Sequence, residues 1–411
     1  MWSDIHISGQ PVDMLSMQIK RCKGGPLFVF IKKPGGPLRN SRQDNMRGAA
    51  SLIQKNSNQV VRLAVYWDCL SFRELLGLEW PNLENLDFTD TCYLNSIPHR
   101  GRCNGGLPKL RDLSIRGGFI WPMTVAKDLK TFQLQGSIDL ELSVVTELLR
   151  RNTLLESLEL TNLVVRELPS HYKEESIELP HLKNLSISNS TYGSVMTLLK
   201  LPSLKRLVVS SKSPRVNFWF EPLWSKFCRK LSITRLEAQH RPSSRGSITV
   251  VGSNGYGPDS ESFYLKDFSN MEIHIALLRS LSSLFLSSVT MFSFINNMPE
   301  GALPLGYMYT TCELLKHLSR VECMCLCPSQ LAVGVVRRLR DDSKLCPRLR
   351  RLWVKAPLAA LDLVDEMLKI RASGGDEWEM RIIESQYPSD FPHGTEPVTR
   401  AVWKKTNSKY V

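Results

Sequence analysis

The residues of this chain that are best suited to hold a metal ion lie in the stretch CMCLCP, where Cys323, Cys325 and Cys327 alternate. Cys312 and His317 precede them, and thiolate and imidazole are ligands that zinc prefers. Alternate residues of a strand share a face, so a shared metal ion is one interpretation. The two-residue spacing is not the usual one of structural zinc sites, and a free cysteine packs as a small apolar side chain. The sequence therefore favours packing and predicts no metal site.

No catalytic motif accompanies these cysteines. The sequence has no phosphate-binding loop, no His-Glu-x-x-His pair and no Gly-x-Ser-x-Gly nucleophile turn. The stretch GSNGYG at 252–257 has the wrong glycine spacing for a dinucleotide fingerprint, so we predict a flexible loop there. We therefore expect that the protein is not an enzyme and needs no cofactor.

Basic residues form the second chemically distinct group. The net charge is +13, and residues 19–55 alone hold nine Lys or Arg against one acidic residue, Asp44. Such a patch could face nucleic acid, an anionic membrane surface or an acidic protein. No aromatic interleaving accompanies the charge, so the sequence favours a solvated face and disfavours nucleic acid as a partner.

Composition and the first residues of the chain indicate its compartment. The chain is 42% hydrophobic and 23% charged, as soluble globular proteins are. No apolar run reaches the roughly 18 residues that a membrane span needs. The opening MWSDIHISGQ lacks the layout of a secretory signal, and ten cysteines without such a signal indicate reduced thiols. We expect a cytoplasmic or nuclear protein that does not enter a membrane.

An apolar triplet recurs along the chain: its second residue follows the first by three positions, and its third follows the second by two. Eleven copies are present: Val60/Leu63/Val65, Leu83/Leu86/Phe88, Leu110/Leu113/Ile115, Leu129/Phe132/Leu134, Leu155/Leu158/Leu160, Leu182/Leu185/Ile187, Leu204/Leu207/Val209, Ile233/Leu236/Ala238, Leu281/Leu284/Leu286, Leu318/Val321/Cys323 and Leu349/Leu352/Val354. The first seven intervals are 19 to 29 residues, in or near the range of leucine-rich repeats, and the last three are 31 to 48.

The triplet spacing is typical of a strand, because residues two apart on a strand point to the same side. Helix-like stretches separate the copies, at 72–78, 144–151, 195–200, 331–340 and 361–371. Alternation of strand and helix predicts an α/β fold with parallel strands, here a leucine-rich-repeat solenoid, or horseshoe. We expect the strands on its concave face and helices or irregular segments outside.

Proline precedes several copies of the triplet. Pro81, Pro108, Pro180, Pro202 and Pro347 each stand two residues before the first residue of a copy. Proline lacks a backbone donor and restricts the residue before it. We therefore predict that these prolines end the preceding helix and fix the entry of the chain into the strand.

The N-terminal part of the chain differs from the repeats that follow it. Residues 1–58 hold a strand-like run at 26–31 and a helix around 44–55, and we predict that they form an N-terminal cap region. Residues 59–375 form the predicted leucine-rich-repeat domain.

Two segments fall outside the repeat pattern. Residues around 241–260 are rich in Ser, Gly and Pro and predict an exposed insertion, with a short strand at 248–251. Residues 376–411 form a C-terminal tail that is polar from Ser385 onward, and we predict that it is partly disordered.

Residues that flank the apolar positions on each strand point outward and are the candidates for binding a partner. They are Asn85, Asp87, Asp112, Arg116, Gln133, Gln135, Glu159, Asn184, Arg206, Arg235, Glu237, Arg351, Trp353 and Lys355. A mixed polar face of this kind suits a protein rather than a small metabolite. Trp353 is the strongest single candidate, because an outward Trp between Arg351 and Lys355 fits a contact anchor. We expect a monomer outside such a complex.

The N-terminal segment resembles the one that directly follows the F-box in fungal F-box/leucine-rich-repeat proteins. In that family a Leu-Trp-Ser-x-Ile run leads into a Gly/Gln-Pro stretch, a helix and a Pro-Leu-x-Val-x-Ile strand. The matching residues here are Trp2, Ser3, Ile5, Gln10, Pro11, Leu15, Pro26, Leu27, Val29 and Ile31. The ending LCPRLRRLWVKAPLAALDLVDEMLKIRAS also resembles the closing Cys-Pro-x-Leu repeat of that family.

The resemblance implies the substrate-recognition part of an F-box subunit of a Skp-cullin-F-box ubiquitin ligase. The F-box helices of the family would precede Trp2, whereas this chain begins at Met1. A Skp-type adaptor is then a partner only if an F-box exists upstream in a longer product. The alternative is a stand-alone leucine-rich-repeat scaffold or recognition protein unconnected to a ubiquitin ligase.

Overall fold

The chain folds into two units of α/β structure. The computed structural model of the 411 residues describes residues 3–32, 40–67, 79–90, 107–117, 126–166, 176–188, 198–210, 235–241, 247–254, 262–268, 288–296, 312–327, 329–354, 363, 366–367, 369–370, 379–382 and 402–404. Unit 1 is Met1–Leu204 and unit 2 is Lys205–Val411.

Unit 1 is built on a parallel sheet. Its described strands are β1 (Ser3–Ile7), β2 (Leu27–Lys32), β3 (Val60–Trp67), β4 (Asn85–Asp90), β5 (Asp112–Arg116), β6 (Thr131–Glu141), β7 (Ser157–Arg166), β8 (Ile177–Glu178), β9 (Asn184–Ser188) and β10 (Leu199–Lys200). Strands β1 to β7 and then β9 pair in chain order, each parallel to its neighbour. Strands β8 and β10 form a separate short parallel pair.

Three helices are described in unit 1: α1 (Val12–Arg21), α2 (Asn40–Lys55) and α3 (Leu142–Arg151). Helix α1 begins after Pro11 and buries Leu15 and Ile19. A methyl group added at Gly48 of α2 would lie 2.5 Å from the Cγ2 of Val12, so this glycine allows α1 and α2 to approach closely. A short 3-10 helix at Ser57–Gln59 leads into β3.

The core of unit 1 consists of two rows of apolar side chains that run across the strands. The first row is Ile5, Val29, Leu63, Leu86, Leu113, Phe132, Leu158 and Leu185, and the second is Ile7, Ile31, Val65, Phe88, Ile115, Leu134, Leu160 and Ile187. None of these side chains is more than 3% exposed. Burying a Val, Leu, Ile or Phe side chain contributes roughly 1.5–3 kcal/mol, so the stacked triplets are the main source of stability.

The prolines occupy tight turns ahead of the strands. Leu83, Leu110 and Leu182 each donate their backbone N–H to the carbonyl three residues earlier, which is the residue before the proline. The same bond joins Leu204 to Leu201 and Leu349 to Cys346. Proline at the second position of such a turn has the φ angle that the turn requires. The residue before each of these prolines is buried. We call a turn of this kind, with or without proline, together with the strand that follows it, a rung.

The predicted N-terminal cap is part of the same sheet. Strand β2 lies at the predicted strand, and α2 covers the predicted helix and begins four residues earlier, at Asn40 rather than Asp44. Strand β1 was not predicted, and it pairs in parallel with β2, which pairs in parallel with β3. Residues 1–58 therefore contribute two further strands to the sheet.

Unit 2 contains a mixed sheet. Its described strands are β11 (Arg206–Ser210), β12 (Arg235–Arg241), β13 (Ser247–Ser253), β14 (Ser262–Phe268), β15 (Met291–Asn296), β16 (Cys323–Cys327), β17 (Arg351–Val354), β18 (Glu379–Ile382) and β19 (Val402–Lys404). Their order is β11-β14-β13-β12-β15-β16-β17-β18-β19, and every pairing is parallel except those of β13 and β19. Helix α4 (Ser329–Asp341) lies between β16 and β17 in the chain.

One of the late triplets is corrected in unit 2. Strand register places Met324 and Leu326 beside Leu352 and Val354, so the triplet of β16 is Val321/Met324/Leu326 rather than Leu318/Val321/Cys323. Leu318 is buried as the residue that accepts the turn bond from Val321. The predicted triplet Leu281/Leu284/Leu286 lies outside the described residues, and the triplet of β15 begins at Val289 and continues with Phe292, which lies beside Met324.

The two segments outside the repeat pattern also contain strands. Strand β13 spans the short strand predicted at 248–251 and pairs with β12 on one side and β14 on the other, so this part of the insertion belongs to the sheet. Strands β18 and β19 lie within the predicted tail, and β18 extends the parallel run of β15 to β17. The alternation Trp378, Met380, Ile382 is the strand signal there, although no leucine triplet accompanies it.

Candidate binding face

The predicted binding residues of unit 1 lie together. We call the strand face the side of β1–β7 and β9 that is opposite to the two buried rows. It carries eight of the predicted residues, all half-buried or exposed: Asn85, Asp87, Asp112, Arg116, Gln133, Gln135, Glu159 and Asn184. Strand register sets Asn85 beside Asp112, Arg116 beside Gln135, and Gln133 beside Glu159.

The centre of the strand face holds a hydrogen-bonded pair, Tyr66 and Asp87. The Tyr66 hydroxyl donates to Asp87 Oδ2 at 2.8 Å. This hydrogen bond, followed by burial and the negative charge of Asp87, raises the pKa of Tyr66 above its ordinary value, while Arg116 and Arg62 oppose the rise. Tyr66 is therefore a neutral hydroxyl donor at physiological pH. It follows the buried Val65 as Arg116 follows Ile115, so the same spacing rule could have identified it.

Three oxygen atoms beside this pair are shielded from solvent and have no hydrogen-bond partner in the described part of the chain. They are Asp87 Oδ1, Thr89 Oγ1 and Ser114 Oγ. Ser114 lies beside Asp87 in the register, and Thr89 lies beside both Tyr66 and Arg116. A shielded polar group without a partner costs about 1–3 kcal/mol. Sequence reasoning missed Thr89 and Ser114, because their lack of partners depends on side-chain distances.

A second group of polar residues lies where the turns lead into the strands, and these residues are paired with one another. We call Asn82, Lys109, Lys130, Glu156 and Lys183 the turn-edge ladder. Lys183 Nζ lies 2.7 Å from Glu156 Oε2, Lys130 Nζ lies 3.9 Å from Glu156 Oε1, and Lys109 Nζ donates to Asn82 Oδ1 at 2.7 Å. The hydrogen bond from Lys183 is the main reason that the pKa of Glu156 is lowered.

The strand face shows the opposite behaviour. Within the described ranges, the side chains of Asn85, Asp112, Arg116, Gln133, Gln135, Glu159 and Asn184 make no hydrogen bond or ion pair. Their carboxylate, amide and guanidinium groups therefore remain available to another molecule.

Aromatic residues occupy the first strands of the same face. The rings of His6 and Phe30 stack with centroids 4.9 Å apart, and the Arg62 guanidinium lies 5.7 Å from the Phe30 centroid. Phe28 and Phe30 alternate with buried residues of β2, and Lys32 ends the strand. Phe28 and Phe30 thus alternate along a strand of the basic segment 19–55, next to Lys32, one of its nine cations. This strand is therefore a place where aromatic residues do accompany the charge of that segment.

The candidates of unit 2 have different outcomes. Arg206 and Arg351 are exposed, the side chains of Arg235 and Glu237 are not described, and Lys355 lies outside the described residues. The interpretation of Trp353 as an exposed anchor was wrong. Its side chain is 9% exposed and packs against Cys323 and Cys325, with Met291 beside them. Cys325 lies beside Trp353 in the register, and its small side chain leaves room for the indole.

The cysteines of β16 lie on that same side of unit 2. Cys323 and Cys325 are buried and form no disulfide, as is expected of small apolar side chains. Cys312 precedes them, and burial raises the pKa of its thiol. Among the described residues no group of three or more His, Cys, Asp or Glu side chains is placed to hold a metal ion. The side chain of Cys327 is not described.

Comparison with models of known protein families and with curated protein sequences finds no match to this chain. None of the described helices is long and apolar enough to cross a bilayer. The strand face is therefore the feature of the molecule from which a function can be inferred.

Proposed function

We propose that this chain is a protein-interaction module without catalytic activity, and that the strand face of unit 1 binds a segment of a partner protein. The observation that carries the proposal is the contrast between the strand face and the turn-edge ladder. Polar side chains of the ladder bond to one another, whereas seven of the eight predicted residues on the strand face make no side-chain hydrogen bond or ion pair in the described chain. Groups that are unpaired in the free protein can form hydrogen bonds across an interface.

A leucine-rich-repeat solenoid is the architecture that we propose for the stacked rungs, with the strand face on its concave side. The constant strand register and the recurring proline turn support this architecture. Neighbouring strands of a sheet lie about 4.8 Å apart, so an extended segment of a partner could contact several rungs at once.

The F-box resemblance leads to a narrower proposal, the substrate-recognition part of a Skp-cullin-F-box ubiquitin ligase. The order of α1 and β2 is compatible with the helix and strand that follow the F-box in that family. A stand-alone scaffold or recognition protein would use the strand face in the same way and would differ in having no adaptor. We place either protein in the cytoplasm or nucleus.

Sequencing the 5′ end of the transcript and co-expressing its product with a Skp-type adaptor separates these two proposals. The ligase proposal predicts an in-frame F-box and a stable complex with the adaptor. A transcript without an F-box, together with a product that does not bind the adaptor, contradicts the ligase proposal and leaves the scaffold.

The binding proposal is tested with two matched triple variants. Gln133→Ala/Gln135→Ala/Glu159→Ala removes polar groups from the strand face, and Lys109→Ala/Lys130→Ala/Lys183→Ala removes the same number from the turn-edge ladder. Quantitative cross-linking in cells should show partners that the wild type and the ladder variant capture equally and that the face variant captures about tenfold less. Equal capture by all three proteins contradicts the proposal.

A further inference from the structure

The Tyr66–Asp87 pair has the chemistry of a specific recognition site within the strand face. We call Tyr66, Asp87, Thr89 and Ser114, together with Arg116, the Asp87 cluster. Because the Tyr66 hydroxyl donates to Asp87 Oδ2, the other carboxylate oxygen still lacks a donor. The Thr89 and Ser114 hydroxyls each offer a proton and lone pairs, and neither has a partner among the described residues.

The cluster therefore lacks two kinds of hydrogen-bond partner, a donor and an acceptor. Asp87 Oδ1 can only accept, so it requires an N–H or O–H donor from outside. The Thr89 and Ser114 hydroxyls can donate, so they can satisfy an oxygen acceptor on the same ligand. All three residues are themselves half-buried on the strand face, and rotation of the Thr89 and Ser114 side chains between staggered wells can turn their hydroxyls toward a ligand.

The charges around the cluster balance. Arg62 and Arg116 both act on the Tyr66 hydroxyl electrostatically, and Asp112 lies on the strand next to Asp87. The two cations and the two carboxylates sum to zero. A partner cation would be opposed by the two arginines, and a partner carboxylate would be opposed by Asp87. Burying an uncompensated charge costs far more than burying a hydrogen-bonded neutral group.

We propose that the Asp87 cluster recognises the carboxamide of an asparagine or glutamine side chain in an extended segment of the partner. A carboxamide has two N–H donors and one carbonyl acceptor on a neutral, planar group. Its N–H donates to Asp87 Oδ1, and its carbonyl accepts from the Thr89 or Ser114 hydroxyl. Gln133, Gln135 and Glu159 on the following strands bond to the rest of the segment.

This inference rests on the proposed function, and peptide selection tests both. Displayed random peptides are selected against the full chain and counter-selected against the Gln133→Ala/Gln135→Ala/Glu159→Ala variant. The selected peptides should share one Asn or Gln at a fixed position. Replacing that residue with Asp, Lys or Ala should weaken binding about tenfold or more, because the cluster is left unsatisfied.

Two point variants test whether the selected peptide binds at the Asp87 cluster. Asp87→Asn removes the acceptor charge and should weaken the selected peptide about tenfold. Lys183→Ala, in the turn-edge ladder and outside the strand face, should leave binding unchanged. Thermal unfolding of both variants excludes loss of the fold as the cause.

The results of the peptide selection distinguish failure of the carboxamide inference from failure of the proposed binding face. Peptides that bind the strand face without a shared Asn or Gln, or that prefer Lys or Asp at the fixed position, overturn the carboxamide inference and leave the binding face intact. A selection whose peptides bind the face variant as well as the wild type, or that yields no peptide, overturns both.

Discussion

At the scale of single residues, the environment of Tyr66 is the most informative feature of the strand face. Its hydroxyl bonds to Asp87, and the pKa of Tyr66 is raised by that bond, by burial and by the carboxylate charge. The raised pKa means that the bond stabilises the fold fully below the ordinary pKa of tyrosine. This contribution is lost as the pH rises through the higher pKa of the folded state.

The substitution Asp87→Asn tests this electrostatic description. It removes the carboxylate charge, so we expect the pKa of Tyr66 to fall toward its ordinary value. The difference between the near-ultraviolet titrations of each protein and its Tyr66→Phe derivative isolates this one tyrosine. Asp112→Asn is the matched control and should leave Tyr66 unchanged. A Tyr66 titration that Asp87→Asn does not move contradicts the description.

Asn152 is a buried polar residue whose hydrogen bonds are all within the chain. It is fully buried, its Oδ1 accepts from the Leu129 N–H at 3.0 Å, and its Nδ2 donates to the carbonyls of Leu148 and Ala126 at 2.8 and 3.3 Å. The side chain therefore ties the end of α3 to the turn before β6.

Replacing Asn152 with alanine should lower the free energy of unfolding by about 2–4 kcal/mol, because buried backbone groups lose their partners. Urea unfolding measures the change, and hydrogen exchange at the Leu129 amide should accelerate. The neighbouring exposed Thr153→Ala is the control and should change stability by less than about 0.5 kcal/mol. Equal unfolding midpoints for the two variants would show that the hydrogen bonds of Asn152 are unimportant.

Sequence reasoning identified eight residues of the strand face from their spacing alone. Residues between two buried positions of a strand must point outward, and Asp87, Gln133 and Glu159 do so. The same reasoning failed for Trp353, because β17 is buried on both sides and only Arg351 is exposed. A strand with two apolar faces has no alternation from which an outward residue can be chosen.

At the scale of elements, the register of the rungs depends on how clearly each strand alternates. In β4 to β7 and β9 the outward side of each triplet is polar, and the predicted triplets coincide with the buried rows. Strand β16, with the sequence CMCLC, is apolar at every position, and the predicted triplet was placed three residues too early. Register is weakly specified wherever both faces of a strand carry similar residues.

The end of β5 and the bulge of β6 form a close backbone contact. The Gly117 N–H donates to the Gln135 carbonyl at 2.7 Å, and the register shifts between Gln135 and Ile138. A methyl group added at Gly136 would collide with the backbone carbonyl of Gly117. Glycine at 136 is therefore required for two rungs to approach each other at this point.

Gly136→Ala should destabilise unit 1 by about 1–3 kcal/mol, because the backbone itself must shift to accommodate the methyl group. Chemical unfolding measures this change, with Gln135→Ala as an exposed neighbour that should have little effect. If Gly136→Ala proves as stable as the wild type, the close contact between these two rungs is not present in solution.

At the scale of the whole molecule, both units use the same principle. Parallel strands stack in register, so that each apolar triplet lies beside the triplets of the neighbouring strands. A single rung cannot exclude water from its own core, which is why the pattern must recur many times. The recurrence could be read from the sequence, whereas the membership of residues 1–58 could not, because no leucine triplet marks β1.

The proposed function depends on the side of the unit 1 sheet that the stacked strands do not bury. One side of the unit 1 sheet is filled by the buried rows, and the other side carries many polar groups that have no partner within the described chain, besides the bonded pair Tyr66 and Asp87. If the register were different by one residue, apolar and polar sides would exchange and the binding face would disappear. The proposed function therefore depends above all on the register of the unit 1 strands.

Engineered disulfides measure that register directly. Gln133→Cys/Glu159→Cys joins two positions that lie side by side on neighbouring parallel strands, within the range of about 4.4–6.8 Å between Cα atoms that a disulfide spans. Gln133→Cys/Asn184→Cys joins positions two strands apart, beyond that range. We predict rapid oxidation of the first pair in the folded protein and none of the second. Failure of the first pair to close, or closure of both pairs at the same rate, contradicts the account.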